Sequence, residues 1–160
     1  MTASFIRPAI PADAALIFAF IRELADYEKM SADVVTNEAE IAGALFGPNP
    51  RVFCDIAEWD GKPAGFALWF YNFSTFRGRH GIYLEDLFVR PEFRGHGLGK
   101  ALLVGLARRC MAEGCARLEW SVLDWNALSI AFYKSLGAFH NDSWLPFRLT
   151  GEALEKLGQG

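Results

Sequence analysis

Between Val89 and Leu103 the chain reads VRPEFRGHGLGKALL, two apolar runs joined by a turn that carries three glycines. The run before the turn, IYLEDLFV, is rich in branched and aromatic residues and reads as a strand. After it Leu98, Leu102, Leu106 and Cys110 recur every fourth residue, so Gly97 to Glu113 reads as a helix that ends near Gly114. A strand that enters a helix through bare backbone constrains the fold more than any other feature. The helix has to cross over before the next strand, ARLEWSVL, which makes those two strands a parallel pair.

The remaining elements fill in around this crossover. SFIRPA is a short strand, and Pro11 and Asp13 open a helix whose apolar face is Leu16, Ile17, Phe20 and Leu24. TNEAEIAGALFG is a second, shorter helix stopped by Gly47 and Pro48. RVFCDIAEW and PAGFALWFYNF are strands joined by a hairpin through Asp60 and Gly61. NALSIAFYKSLG is a helix ended by Gly137, and WLPFRLT is expected to form a last strand. The order β-α-α-β-β-β-α-β-α-β predicts a mixed α/β layer fold, not a doubly wound one, and 160 residues predict a single domain spanning 1–160.

The glycine turn admits three phosphate-binding readings, and two of them fail. A P-loop needs a glycine where Arg94 stands and a Ser or Thr where Ala101 stands. A dinucleotide fingerprint needs G-x-G-x-x-G, whereas Gly95, Gly97 and Gly99 run G-x-G-x-G after hairpin-connected strands. What survives is physical: amides without neighbouring β-carbons can converge on an anion at a helix N-terminus, with Arg94 and Lys100 as charge partners. A tight turn whose glycines serve only close packing is the competing reading.

Charge and composition exclude several classes. A net charge of −3 without a basic block argues against nucleic acid as a main partner. No apolar run approaches the roughly eighteen residues of a membrane span. MTASFIRPA is too short and polar for a secretory signal, and Cys54, Cys110 and Cys115 form no CxxC pair, so a reducing, cytoplasmic setting is expected. Each cysteine reads as a buried small hydrophobe. His80, His96 and His140 lack ligand spacing, so no metal is expected, and His96 reads as an exposed loop residue that contributes its backbone.

Arg94-Gly95-His96-Gly97-Leu98-Gly99 matches R-x-x-G-x-G/A, and WNALSIAFYKSLGA matches W-N-x-x-S/A-I-x-F-Y-x-x-x-G-A. On these two segments the chain resembles the Gcn5-related N-acetyltransferase superfamily. The resemblance implies a mixed twisted sheet with helices on both faces and a splayed parallel strand pair. It implies acetyl-CoA as cosubstrate, its diphosphate cradled by the turn from Arg94 to Lys100, including the backbone of His96 and Leu98. The pantetheine arm would pair with the backbone of Leu87, Phe88 and Val89, and Asn126 would contact the cofactor. Locally, Asn126 also reads as a helix N-cap and Tyr133 as a core residue. IRPA, IRELADYEKM and YLEDLFV extend the resemblance to the diamine and thialysine N-acetyltransferase branch. In that branch the residues matching Tyr27, Glu28 and Glu85 approach the amine, the one matching Tyr133 is the general acid, and the enzyme is a homodimer.

The chemistry gives these residues work. A primary amine is only about 0.1% unprotonated at pH 7, so a carboxylate beside the cleft has to take a proton. Strand alternation is expected to put Tyr83, Glu85 and Leu87 on one face and Leu84, Asp86 and Phe88 on the other, so that the two acids act as a pair only if a bulge redirects one. Glu85 is assigned to the substrate and Asp86 to a structural or secondary role. The acetyl group would pass by direct attack in a ternary complex. FHNDSWLPFRL, after Ala138, is shorter than the glutamate-containing segment of animal diamine acetyltransferases, which leaves a lysine-like amino acid as open as a polyamine. A peptide amine acetyltransferase and a non-catalytic acyl-CoA-binding module are the alternatives.

Overall fold

Trp59 and Lys62 pair across a two-residue loop in which Asp60 and Gly61 both take left-handed backbone, φ 49° and 72°. That is the geometry in which a tight hairpin matches the twist of its strands. In the computed structural model, which describes residues 4–160, this hairpin joins β2 (Phe53–Trp59) to β3 (Lys62–Ser74). With β1 (Ser4–Pro8), β4 (Arg79–Val89) and β5 (Leu118–Trp120) they form one sheet ordered β1-β2-β3-β4-β5. The first four strands are antiparallel neighbours, and β4 and β5 are the parallel pair that the crossover demands.

Helices cover both faces. α1 (Ala14–Tyr27) and α2 (Glu38–Phe46) bury Ile17, Phe20, Leu24 and Leu45 against Ile56, Phe66, Leu68 and Phe88 of the sheet. Phe20 stacks on Phe66 with ring centroids 5.3 Å apart and meets Phe88 edge-on at 6.5 Å. α3 (Leu98–Glu113) lies on the opposite face, where Arg109 sits 4.9 Å over the Trp69 ring and Glu113 accepts a hydrogen bond from the Tyr71 hydroxyl at 2.6 Å. Burying about five such large apolar side chains fully stabilises the fold by roughly 10 kcal/mol before entropy is charged against it.

The β3–β4 ladder departs from simple alternation. Leu68 faces Asp86 and Trp69 faces Leu84, so Glu85 is the extra residue of a β-bulge. Residues opposite each other share a sheet face. Leu84 therefore lies on the α3 side with Trp69, while Asp86 and Phe88 lie on the α1 side with Leu68 and Phe66. The expected grouping of Leu84 with Asp86 and Phe88 is thus corrected: the bulge moves the register by one and ejects Glu85.

Gly65 tests the fit of β3 against the end of β4. A β-carbon there would clash with the Phe88 carbonyl oxygen and come 3.0 Å from the Val89 Cα, both rigid backbone. Gly65→Ala is expected to destabilise the chain by about 1–3 kcal/mol, because the strand has to shift to admit the methyl group. Denaturant unfolding of the two proteins checks this, and equal midpoints would contradict it.

The chain divides into two compact units, one ending at Ser121 and the other running Val122–Gly160. The second holds α4 (Ala127–Ser135), capped by Asn126, and a further helix, α5 (Gly151–Gln159), beyond those expected. The strand expected at WLPFRLT is not formed: residues 144–150 carry no regular structure, and this unit has no strand to pair with. An apolar, branched run fits a strand only where an edge is offered, which local patterning cannot supply.

Candidate active site

β4 runs on past its parallel neighbour. The β4–β5 ladder covers only Ile82, Tyr83 and Leu84, and from Glu85 to Val89 the strand is paired with β3 alone. The backbone groups along the other edge of this segment have no ladder to enter. This is the splay implied by the resemblance, and it coincides with the bulge. Phe88 is buried in the α1 core, so it can offer a ligand only its backbone. Leu87 and Val89 are half-buried.

The glycine turn follows at once. Gly95 and Gly97 adopt left-handed backbone, φ 82° and 78°, and nothing lies within 4 Å of where a β-carbon would stand on either. A packing role needs a close neighbour, and here there is open space beside bare amides. Gly97 caps α3 with no side-chain cap, which leaves the first-turn N–H groups of the helix to an outside acceptor. The turn is chemically fitted to a diphosphate. Leu98 is buried, so its amide rather than its side chain faces the turn, and Gly99 approaches only the Val89 methyl, at 3.9 Å.

Two side chains hold the turn in place. Arg94 donates from Nε to the Val89 carbonyl at 2.9 Å and lies over the rings of Tyr27, at 5.0 Å, and Phe88, at 5.7 Å. Those stacks are attractive for a guanidinium. His96 is exposed, as expected, but its ring stacks on Trp59 at 4.3 Å, a contact the sequence offers no sign of. Lys100 lines a cavity of about 620 Å³ between α3 and β1, shared with Gly97, Arg7, Arg108 and Arg109.

The acids form a cluster. Glu85 is exposed at the bulge, while Asp86 is half-buried and its carboxyl is pushed up to about 7, first by burial and then by the charges of Glu85 and Glu28. Burial likewise raises the carboxyl of Glu28, the residue that ends α1 beside Tyr27. Asp86, expected to be structural or secondary, has the perturbed environment, and the signal for it in the sequence is two adjacent acids in an apolar strand.

A shift of this sign has a consequence for stability. Between its ordinary 3.8 and about 7, Asp86 keeps a proton that the unfolded chain has lost, so its contribution is complete at low pH and disappears as pH rises through 7. Asp86→Asn carries no such charge. The variant is expected to match the wild type near pH 4 and to be more stable at pH 8 by on the order of 2 kcal/mol. Urea unfolding at the two pH values measures it, and a variant weakened equally at both would contradict the assignment.

In the second unit, Asn126 accepts a hydrogen bond from the Ser129 amide at 3.2 Å and so caps α4. Tyr133 lies in the last turn of that helix, half-buried, with its ring 5.5 Å from that of Phe132. Among the described residues no group of three or more His, Cys, Asp or Glu side chains could hold a metal ion, and no helix is long and apolar enough to cross a membrane.

Residues 17–138 match the family described as acetyltransferase (GNAT). Over 98% of each chain the sequence is 38% identical to a thialysine N-epsilon-acetyltransferase of Sus scrofa. It is 31% identical to an L-ornithine N5-acetyltransferase of Arabidopsis thaliana, over 96% of this chain and 87% of that one. An integron cassette protein from the mobile metagenome of V. cholerae superposes with a TM-score of 0.81 at 29% identity, covering 98% of both chains.

Proposed function

Because the chain belongs to the acetyltransferase (GNAT) family, we propose that the open edge of β4 and the glycine turn bind acetyl-CoA and present it to a small cationic amine. The protein is an acyltransferase enzyme that transfers acetyl to a small amine. The observation that carries the cofactor reading is the stretch Glu85–Val89, paired with β3 on one edge and open on the other, leading into left-handed Gly95 and Gly97. When bound, acetyl-CoA supplies an acetyl group activated as a thioester.

The chain's own residues do the rest. The backbone of Leu87, Phe88 and Val89 aligns the pantetheine arm, the amides from Gly95 to Gly99 and the charges of Arg94 and Lys100 hold the diphosphate, and Asn126 adds a polar contact. Tyr27, Glu28 and Glu85 receive the ammonium, favoured by acid charge and an aromatic face. The amine gives its proton to the Glu85–Asp86 pair. Support for treating them as a pair is electrostatic: after burial, the Glu85 charge is the next cause that raises Asp86 to about 7. Glu85, being exposed, returns that proton to water. The Tyr133 hydroxyl protonates the departing thiolate.

Thialysine, lysine-like amino acids and ornithine are the substrates favoured, since relatives acting on them match nearly the full length. A homodimer in the cytoplasm is part of the same reading. Exposed Trp144, Leu145 and Phe147 would give such a dimer apolar surface, and three free thiols suit a reducing compartment. A thiol-release assay with acetyl-CoA against thialysine, lysine, ornithine and spermidine tests the reading. Turnover is expected on the amino acids. Binding of acetyl-CoA without turnover on any amine would replace the enzyme by a binding module.

A further inference from the structure

α3 ends in a Schellman turn. Gly114 is left-handed at φ 68°, and the Cys115 amide donates to the Cys110 carbonyl at 2.8 Å. Such turns bring the residue after the glycine against the one five positions earlier, and here both are cysteines. With standard bond lengths, that hydrogen bond holds the two Cα atoms within about 6.7 Å, inside the reach of a disulfide.

The two thiols have unequal surroundings. Cys110 is 8% exposed and lies against backbone: its Sγ is 3.8 Å from the Arg117 carbonyl. Burial and the neighbouring Cys115 thiol push it up to about 11. Cys115 instead lines a cavity of about 430 Å³ with Phe76, Arg77, Arg79 and Ala116. The expectation that every cysteine is a buried hydrophobe therefore holds for Cys54 and Cys110 but not for Cys115, which is half-buried at the wall of an open, arginine-lined space. An accessible sulfur in cationic surroundings, backed by a second sulfur, is the arrangement of a reactive thiol with its resolving partner.

We propose that Cys115 and Cys110 form a reversible dithiol site oxidised by a hydroperoxide, with Cys115 as the attacking sulfur. The Cys115 thiolate attacks the peroxide O–O bond, forming a sulfenic acid and releasing one water after proton transfer. Cys110 sulfur then attacks Cys115 sulfur, the S–O bond breaks, and the leaving hydroxide takes the Cys110 proton as a second water. Two thiols lose two electrons and hydrogen peroxide gains them. The product staples the end of α3 to the segment that leads into β5, where the Ala116 amide donates to His80 and the Ile82 amide to Arg117.

The test uses the full folded chain and hydrogen peroxide at neutral pH, followed by iodoacetamide and trypsin. Cleavage after Arg109 and Arg117 releases CMAEGCAR, which carries both thiols on one peptide. That peptide is expected to lose two hydrogens and resist alkylation until dithiothreitol is added, about tenfold faster than in the urea-unfolded chain. Arg77→Gln with Arg79→Gln is expected to remove most of that advantage, and Cys110→Ala to leave a dimedone-reactive sulfenic acid at Cys115. Oxidation at the unfolded rate would overturn the proposal. So would an unchanged rate in the arginine variant, or a Cys115 that over-oxidises while Cys110 remains alkylatable.

Discussion

Tyr133→Phe is expected to lower kcat with thialysine by about 10²–10⁴-fold while leaving acetyl-CoA binding within a factor of a few. The substitution removes one oxygen and keeps the ring that packs 5.5 Å from Phe132. What is lost is the proton for a leaving group that would otherwise depart as a thiolate. A thiolate leaves less readily from a neutral site than a thiol does, and the deficit should grow with pH as solvent protons become scarcer. Steady-state kinetics and calorimetric binding of acetyl-CoA separate the two quantities. Wild-type kcat would remove Tyr133 from the chemistry. An equal loss of kcat and of cofactor affinity would make it a binding residue.

The second large effect concerns the turn. Gly95→Val with Gly97→Val is expected to weaken acetyl-CoA binding by about 10²–10³-fold. Both backbones are left-handed, φ 82° and 78°, where a branched residue is strained by roughly 1–2 kcal/mol. Its side chain would also fill the open space beside the amides. The amine sites are untouched, so the KM for the amine should change little at saturating acetyl-CoA. Thermal unfolding controls for damage to α3, since Gly97 is also its cap. A folded double variant with unaltered acetyl-CoA affinity would show that the glycines serve the turn alone.

What could be read from the sequence was whatever depends on local chemistry. The Asp60-Gly61 hairpin, the stop at Gly114 and the glycine entry to α3 each follow from a backbone angle that few residues adopt, and all are present. The fold class follows from the crossover they impose. The bulge at Glu85 was not legible, because it depends on which of Leu68 and Trp69 the opposite helices claim, a choice made in tertiary packing. It changed the site's reading, giving Asp86 the perturbed environment and Glu85 the exposure. The stack of His96 on Trp59 joins residues thirty-seven positions apart and leaves no local trace. At the C-terminus the error ran the other way. WLPFRLT has strand composition, yet residues 144–150 form no strand, whereas Thr150, Glu152 and Lys156 carry the helix signals of α5 that patterning could have caught.

The most direct measurement is the backbone amide spectrum of isotopically labelled full-length protein during titration with acetyl-CoA. The account predicts that the N–H resonances of Gly95, Gly97 and Gly99 move furthest, together with those of Leu87 to Val89, and saturate in step. Saturable binding that leaves those six signals where they were, with the shifts gathered elsewhere on the sheet, would contradict it.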